Sequence, residues 1–179
     1  MTRALIVLSL LIVSQVTCAA QAPKDWLSYR SPEGRYSVSL PKEPRLNTTE
    51  GLARNGDKIP QYVATCYDGT VLFSITYSDN PSTAAFSIDD ARNEMVKAVK
   101  GTLLDDKPMT VRGGTGRHIV ISMRDEKDRE YVNLVRFYVI GKRVYVLQMI
   151  STKAGASTPV FLEKAQKFFT SFNYEVGSL

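Results

Sequence analysis

The stretch from Glu130 to Ser151 constrains this chain's fold more than any other. Two arms, Glu130–Ile140 and Arg143–Ser151, flank Gly141-Lys142, and both arms are apolar on both faces. Val135, Phe137 and Val139 oppose Leu134, Tyr138 and Ile140; Val144 and Val146 oppose Tyr145 and Leu147. A strand that is apolar on both sides has to be covered on both sides, so this hairpin belongs in the middle of a sheet with a layer above and below it.

Other segments supply the flanking strands. Tyr36, Val38 and Leu40 alternate with Arg35, Ser37 and Ser39, a period of two with one buried face. Gln61–Tyr67 and Thr70–Ser78 bracket Asp68-Gly69, a pair suited to a tight hairpin. Met109–Arg112 and Arg117–Met123 bracket Gly113-Gly-Thr-Gly116. Between Lys42 and Lys58 the chain is polar and contains Gly, which predicts a long loop with room for a weak edge strand.

Two helices complete the pattern. Ser87 suits an N-cap, Asp89 and Asp90 suit the first turn, and Ile88, Ala91, Met95, Ala98 and Val99 recur at helical spacing before Gly101. Thr158-Pro159 starts the second, with Phe161, Leu162, Ala165, Phe168, Phe169 and Phe172 opposite Glu163, Lys164, Gln166 and Lys167. An aromatic stripe at that spacing predicts core packing. The expected fold class is α+β: one domain, residues 21–179, with an antiparallel six- or seven-stranded sheet flanked by helices. A chain of 179 residues leaves little room for a second domain.

Residues 1–20 differ from the rest. Arg3 gives a positive start, Ala4 to Val16 is almost wholly apolar, and Thr17-Cys18-Ala19-Ala20 follows. Those three parts in that order predict a secretory signal peptide cut before Gln21. The run falls short of the roughly 20 residues that span a bilayer comfortably. Retention as an uncleaved anchor is a second fate, and lipidation at Cys18 a third. The lipidation signal is poorly matched, with Gln15 and Thr17 where Leu and a small residue are favoured. The expected location is periplasmic or secreted, with membrane association only through those two alternatives.

Without residues 1–20, Lys+Arg falls from 23 to 22 against 18 acids, a net charge of +4. The bases alternate with acids, as in Arg124-Asp-Glu-Lys-Asp-Arg-Glu130, so there is no basic stripe of the kind nucleic acids require. Losing Cys18 leaves Cys66 alone. It sits in a strand pattern, where a free cysteine is commonly a small buried hydrophobe.

Candidate sites are few. His118 is the single imidazole, placed on the strand face opposite Ile119, Ile121 and Met123. A Cys66–His118 dyad would be the simplest nucleophile and base, and nothing in the spacing brings the two together. Gly113-Gly-Thr-Gly116 lacks the third glycine of a dinucleotide fingerprint and the Gly-Lys-Ser/Thr of a P-loop, and a strand follows it. A hairpin turn is expected there. Asp125, Glu126, Asp128 and Glu130 lack calcium-loop spacing and are interleaved with Arg124, Lys127 and Arg129. Asn47-Thr-Thr49 matches a glycosylation sequon, relevant only in a host with that pathway. No residue is therefore assigned a catalytic, cofactor-binding or metal-binding role.

Trp26…Tyr29, Gly34-Arg-Tyr-Ser-Val-Ser-Leu-Pro41 and Tyr77-Ser-Asp79 resemble the opening of the PsbP-like family. The Gly113-Gly-Thr-Gly-Arg117 hairpin, the Gly141-Lys-Arg-Val-Tyr-Val146 strand and the closing Phe168-Phe-Thr-Ser-Phe172 fit it too. The resemblance runs from about Trp26 to Phe172. It implies an α-β-α sandwich, shared with the Ran-binding release factor, and an accessory or binding role without a common catalytic set. The expectation is an exported non-enzymatic binding protein of the cell envelope, its partner a protein or small ligand. The alternatives are an enzyme using Cys66 or His118, and a purely structural envelope component.

Overall fold

A computed structural model describes residues 26–52, 57–80 and 86–175; the predicted signal segment and Cys18 lie outside them. The large sheet has seven antiparallel strands: β3 (Arg45–Leu52), β4 (Lys58–Tyr67), β5 (Leu72–Asp79), β6 (Thr102–Val111), β7 (Gly114–Arg124), β8 (Glu130–Ile140) and β9 (Arg143–Thr152). Their order is β3-β4-β5-β9-β8-β7-β6. A second sheet of three holds β1 (Leu27–Ser31), β2 (Tyr36–Leu40) and β10 (Asn173–Tyr174) in the order β1-β2-β10. Helices α1 (Ile88–Ala98), α2 (Lys153–Ala156) and α3 (Pro159–Ser171) complete the α+β fold.

The two-faced hairpin sits where its composition requires, with β9 central and β8 beside it. On one face, Phe73, Ile75, Leu147 and Met149 meet Phe161, Ala165, Phe168 and Phe169 of α3 together with Tyr36, Val38 and Leu40 of the small sheet. On the other, Ile119, Ile121, Val135 and Phe137 meet Ile88, Ala91, Met95, Val96 and Val99 from α1 and its C-cap. An ion-pair network fastens α1 to the sheet, with Arg92 and Arg117 reaching both Asp89 and Asp106.

The expectation of a single sheet needs correcting. The Tyr36–Leu40 strand pairs with β1 and β10, and its apolar face packs on the large sheet. Seven strands are nevertheless reached, because Arg45–Leu52, expected as loop with at most a weak edge strand, pairs along all of its eight residues with β4. The strand expected at Met109–Arg112 begins at Thr102. Both are edge strands. Pro108 is tolerated there because one side of the strand has no partner to donate to.

Helix details also shift. Ser87 accepts the Asp90 N–H as expected (3.1 Å), but Ala98 is exposed and Val96 takes its place in the core. The left-handed residue ending α1 is Lys100 (φ 47°), with the Gly101 N–H returning to the Val96 carbonyl. Gly101 is needed for closeness instead: a Cβ there would meet Ile121 Cγ2 at 2.6 Å and the Ser122 oxygen at 2.8 Å. Since a side chain resists φ > 0, Lys100→Gly is expected to raise stability by about 0.5 kcal/mol. Unfolding in urea checks this; a neutral or lower midpoint would count against the strain.

On α3, Leu162 is 61% exposed, whereas Lys164, expected on the polar face, is buried. Its Nζ donates to Asp68 Oδ2 (2.7 Å) and Thr70 Oγ1 (3.0 Å), tying α3 to the β4–β5 turn.

Candidate functional site

The turn expected at Asp68-Gly69 spans four residues, because Tyr67 pairs with Leu72. Asp68 Oδ1 accepts the N–H groups of Thr70 (2.8 Å) and Val71 (2.9 Å), and Gly69 has φ 104°. At Gly113-Gly-Thr-Gly116 the chain makes the expected hairpin: Val111 pairs with Gly114, and Gly113 has φ 73°. Close packing accounts for the glycines that follow, against the β8 backbone at Gly114 and against the Val111 side chain at Gly116. A Cβ on Gly114 would run into the Val139 carbonyl of β8.

Cys66 and His118 are far apart. Cys66 lies on β4 and His118 on β7, four strand positions away, or about 19 Å at roughly 4.8 Å per strand. No dyad forms. Burial pushes the Cys66 thiol up, further from the reactive thiolate. His118 packs edge-on to Phe169 at 6.4 Å, and burial, then the Arg136 guanidinium, holds its imidazole below the ordinary value and hence neutral near pH 7. Three of the four loop acids are bound to bases: Asp125 to Arg129 (2.6 Å), Asp128 to Arg124 (2.7 Å), and Glu130 to Arg124 (2.6 Å) and Lys153 (2.9 Å). Asp125 is held down to about 2 by Arg129. Among the described residues no three His, Cys, Asp or Glu side chains gather as a metal site would need. Asn47 sits exposed on edge strand β3, its Oδ1 accepting the Thr48 N–H.

The structure instead presents a feature that the sequence pattern did not single out. Register places Tyr62 opposite Tyr77, Tyr77 opposite Tyr145, and Tyr145 opposite Tyr138, a row of tyrosines across four strands. The small sheet lies over this row, with Tyr36 edge-on to Tyr77 (6.1 Å) and Tyr145 (6.0 Å). Toward β3 the two sheets part, leaving a cleft of about 590 Å³. Tyr29, Tyr36, Tyr62 and Tyr77 line it, with Leu46 and Thr48 along β3 and Glu33, Asp79 and Arg143 at one end.

Arg143 sets the cleft's shape. It grips Asp79 with two hydrogen bonds (2.7 Å each), lies over the Tyr77 ring at 5.1 Å, and donates to the Glu33 carbonyl (2.8 Å). The Tyr145 hydroxyl donates to the Gly34 carbonyl (2.9 Å). The turn joining β1 to β2 is thereby pinned above β5 and β9, which fixes one wall. The same residues give Tyr77-Ser-Asp79 and Arg143-Val-Tyr145 a structural role in this fold. Burial raises the phenols of Tyr29, Tyr36 and Tyr77, so they stay neutral and able both to donate and to accept. Such a cleft offers ring faces, hydroxyls and one fixed ion pair.

The chain matches no family model and no curated protein. Among solved structures it is similar to PA94 from Pseudomonas aeruginosa, described as a protein of unknown function and a proposed regulator. That likeness has 13% identity and a TM-score of 0.43, covering 80% of this chain and 95% of the other. A likeness this loose carries no argument about what either protein does.

Proposed function

We propose that this chain is an exported, non-enzymatic binding protein of the cell envelope, built as a PsbP-like α-β-α sandwich. The carrying observation is the cleft between the sheets, a concave surface with four tyrosines and a few fixed polar groups. The signal-like residues 1–20 support export. Packing of α3 and α1 on opposite faces of the large sheet supports the sandwich reading. The distance between Cys66 and His118, and the protonated thiol that burial favours, weigh against the enzyme alternative.

Expressed in a bacterial host with a secretory pathway, the mature protein should start at Gln21 by mass spectrometry and fractionate with the envelope. An intact Met1, or a lipid on Cys18, would replace export in free form with anchoring. Binding is tested by recovering envelope partners or ligands with the wild type and with a Tyr29→Ala/Tyr62→Ala double variant. Stoichiometric recovery that is lost in the variant, with its melting curve unchanged, supports the cleft. Equal recovery moves binding to another surface.

A further inference from the structure

Resting on that binding reading, we infer that the cleft takes an alkylammonium head group, from either a free quaternary amine or a lysine side chain of a peptide. Tyr62 stacks on Tyr77 at 4.8 Å and 19°, so one of its faces is covered while the residue stays 41% exposed. The half-buried Tyr29 belongs to the small sheet on the other side of the cleft. Two tyrosine walls with uncovered ring surface suit a cation, because the face of a ring is its negative side. Arg143 already uses Tyr77 in this way, at 5.1 Å.

The charge balance points to the same class of ligand. Asp79 holds Arg143 in a bidentate pair, which leaves little free positive charge in the lining. Glu33 is exposed and has no ion-pair partner among the described residues, and its charge acts on both Tyr29 and Tyr77. Glu43, also without an ion pair among the described residues, acts on Tyr29 as well. Elsewhere the acids are mostly engaged, as with Asp68, Asp106, Asp125 and Glu130. The lining carries one net negative charge, Glu33 and Asp79 against Arg143, and beyond it the charges of Glu43, acting on Tyr29, and Arg35, acting on Asp79, offset each other. An anion would find Arg143 already occupied by Asp79 and would face the Glu33 carboxylate.

The test is an NMR titration of the full mature chain with choline, with Nα-acetyl-lysine amide, and with dimethylbutanol, the neutral carbon isostere of choline. Both cations are expected to shift the Tyr29 and Tyr62 amides saturably, at about millimolar dissociation constants, with the isostere about tenfold weaker. Tyr62→Ala and Glu33→Gln, both changes at exposed side chains, should each weaken the tighter cation about tenfold with melting curves unchanged. The tighter of the two cations identifies the source. Equal binding of the isostere would overturn the ammonium assignment while leaving the binding reading intact. Absence of any saturable shift near Tyr29 and Tyr62 would overturn it too, and partner recovery by the wild type would then decide the binding reading separately.

Discussion

Lys164→Met is expected to cost about 3 kcal/mol of unfolding free energy at neutral pH. Both ends of the Lys164–Asp68 pair are nearly sealed, with side chains 9% and 7% exposed. Methionine fills most of the lysine stem's volume, so the loss comes from the carboxylate left behind rather than from a cavity. Burial alone would push the Asp68 carboxyl up; the Lys164 ammonium and the N–H groups of Thr70 and Val71 outweigh it and hold the carboxyl below its ordinary value.

The sign of the pH dependence follows. A carboxyl whose folded pKa is depressed adds stability that is fully present above its unfolded value, about 3.9, and is lost as pH falls through the folded value. In Lys164→Met the main opposing charge is gone, so the carboxyl titrates higher and becomes neutral sooner. The gap between wild type and variant should therefore narrow as pH drops below about 4. Urea unfolding at neutral and at acid pH measures this. A gap under about 1 kcal/mol at neutral pH, or one that does not narrow in acid, would remove the pair as a determinant of stability.

Lys164 also shows where the sequence stops being informative. It lies three residues after Phe161 and one before Ala165, a position that helical spacing alone places toward the core. Its charge argues for water, and only the partner 96 residues away resolves the conflict. The central hairpin was legible because side-chain chemistry alone demanded two covered faces. The edge strands were not. Arg45–Leu52 shows no apolar alternation because both faces of residues 45–50 are exposed, and Leu103-Leu104-Asp105 breaks the period of two at a register shift in β6. The division into two sheets was invisible for a different reason: alternation in Tyr36–Leu40 reports a buried face without saying which sheet it faces.

The cleft was the least legible feature. Its lining comes from β1, β2, β3, β4, β5, β9 and the β1–β2 turn, and it exists only through non-local register. Tyr77 was readable as one of a run on a single face of its strand. That Tyr62, Tyr145 and Tyr138 stand level with it depends on three separate strand pairings. His118 and Cys66 drew attention through rarity of type, and the fold separates them; Tyr29, Glu33, Tyr62, Asp79 and Arg143 are common types that the fold assembles.

Gly114→Ala is the second large effect, an expected loss of about 3 kcal/mol. Gly114 is the first residue of β7 and pairs with both Val111 and Ile140, so it is held by strands on either side. A Cβ there would overlap the Val139 carbonyl and come within 2.8 Å of Ile140 Cδ1. A backbone oxygen in a central ladder cannot swing aside as a side chain can, so relief requires breaking β7–β8 pairing at the hairpin end. Gly116→Ala meets mainly the Val111 side chain, at 2.7 Å, and Gly113→Ala meets the φ of 73°, for an expected loss of about 1 kcal/mol each. The ranking separates a hairpin from a phosphate loop. A hairpin predicts that Gly114 dominates thermal unfolding and that inorganic phosphate leaves the wild-type melting temperature unmoved. A phosphate cradle would instead give stabilisation by phosphate that each of the three substitutions abolishes, and that outcome would make Gly113-Gly-Thr-Gly116 an anion site.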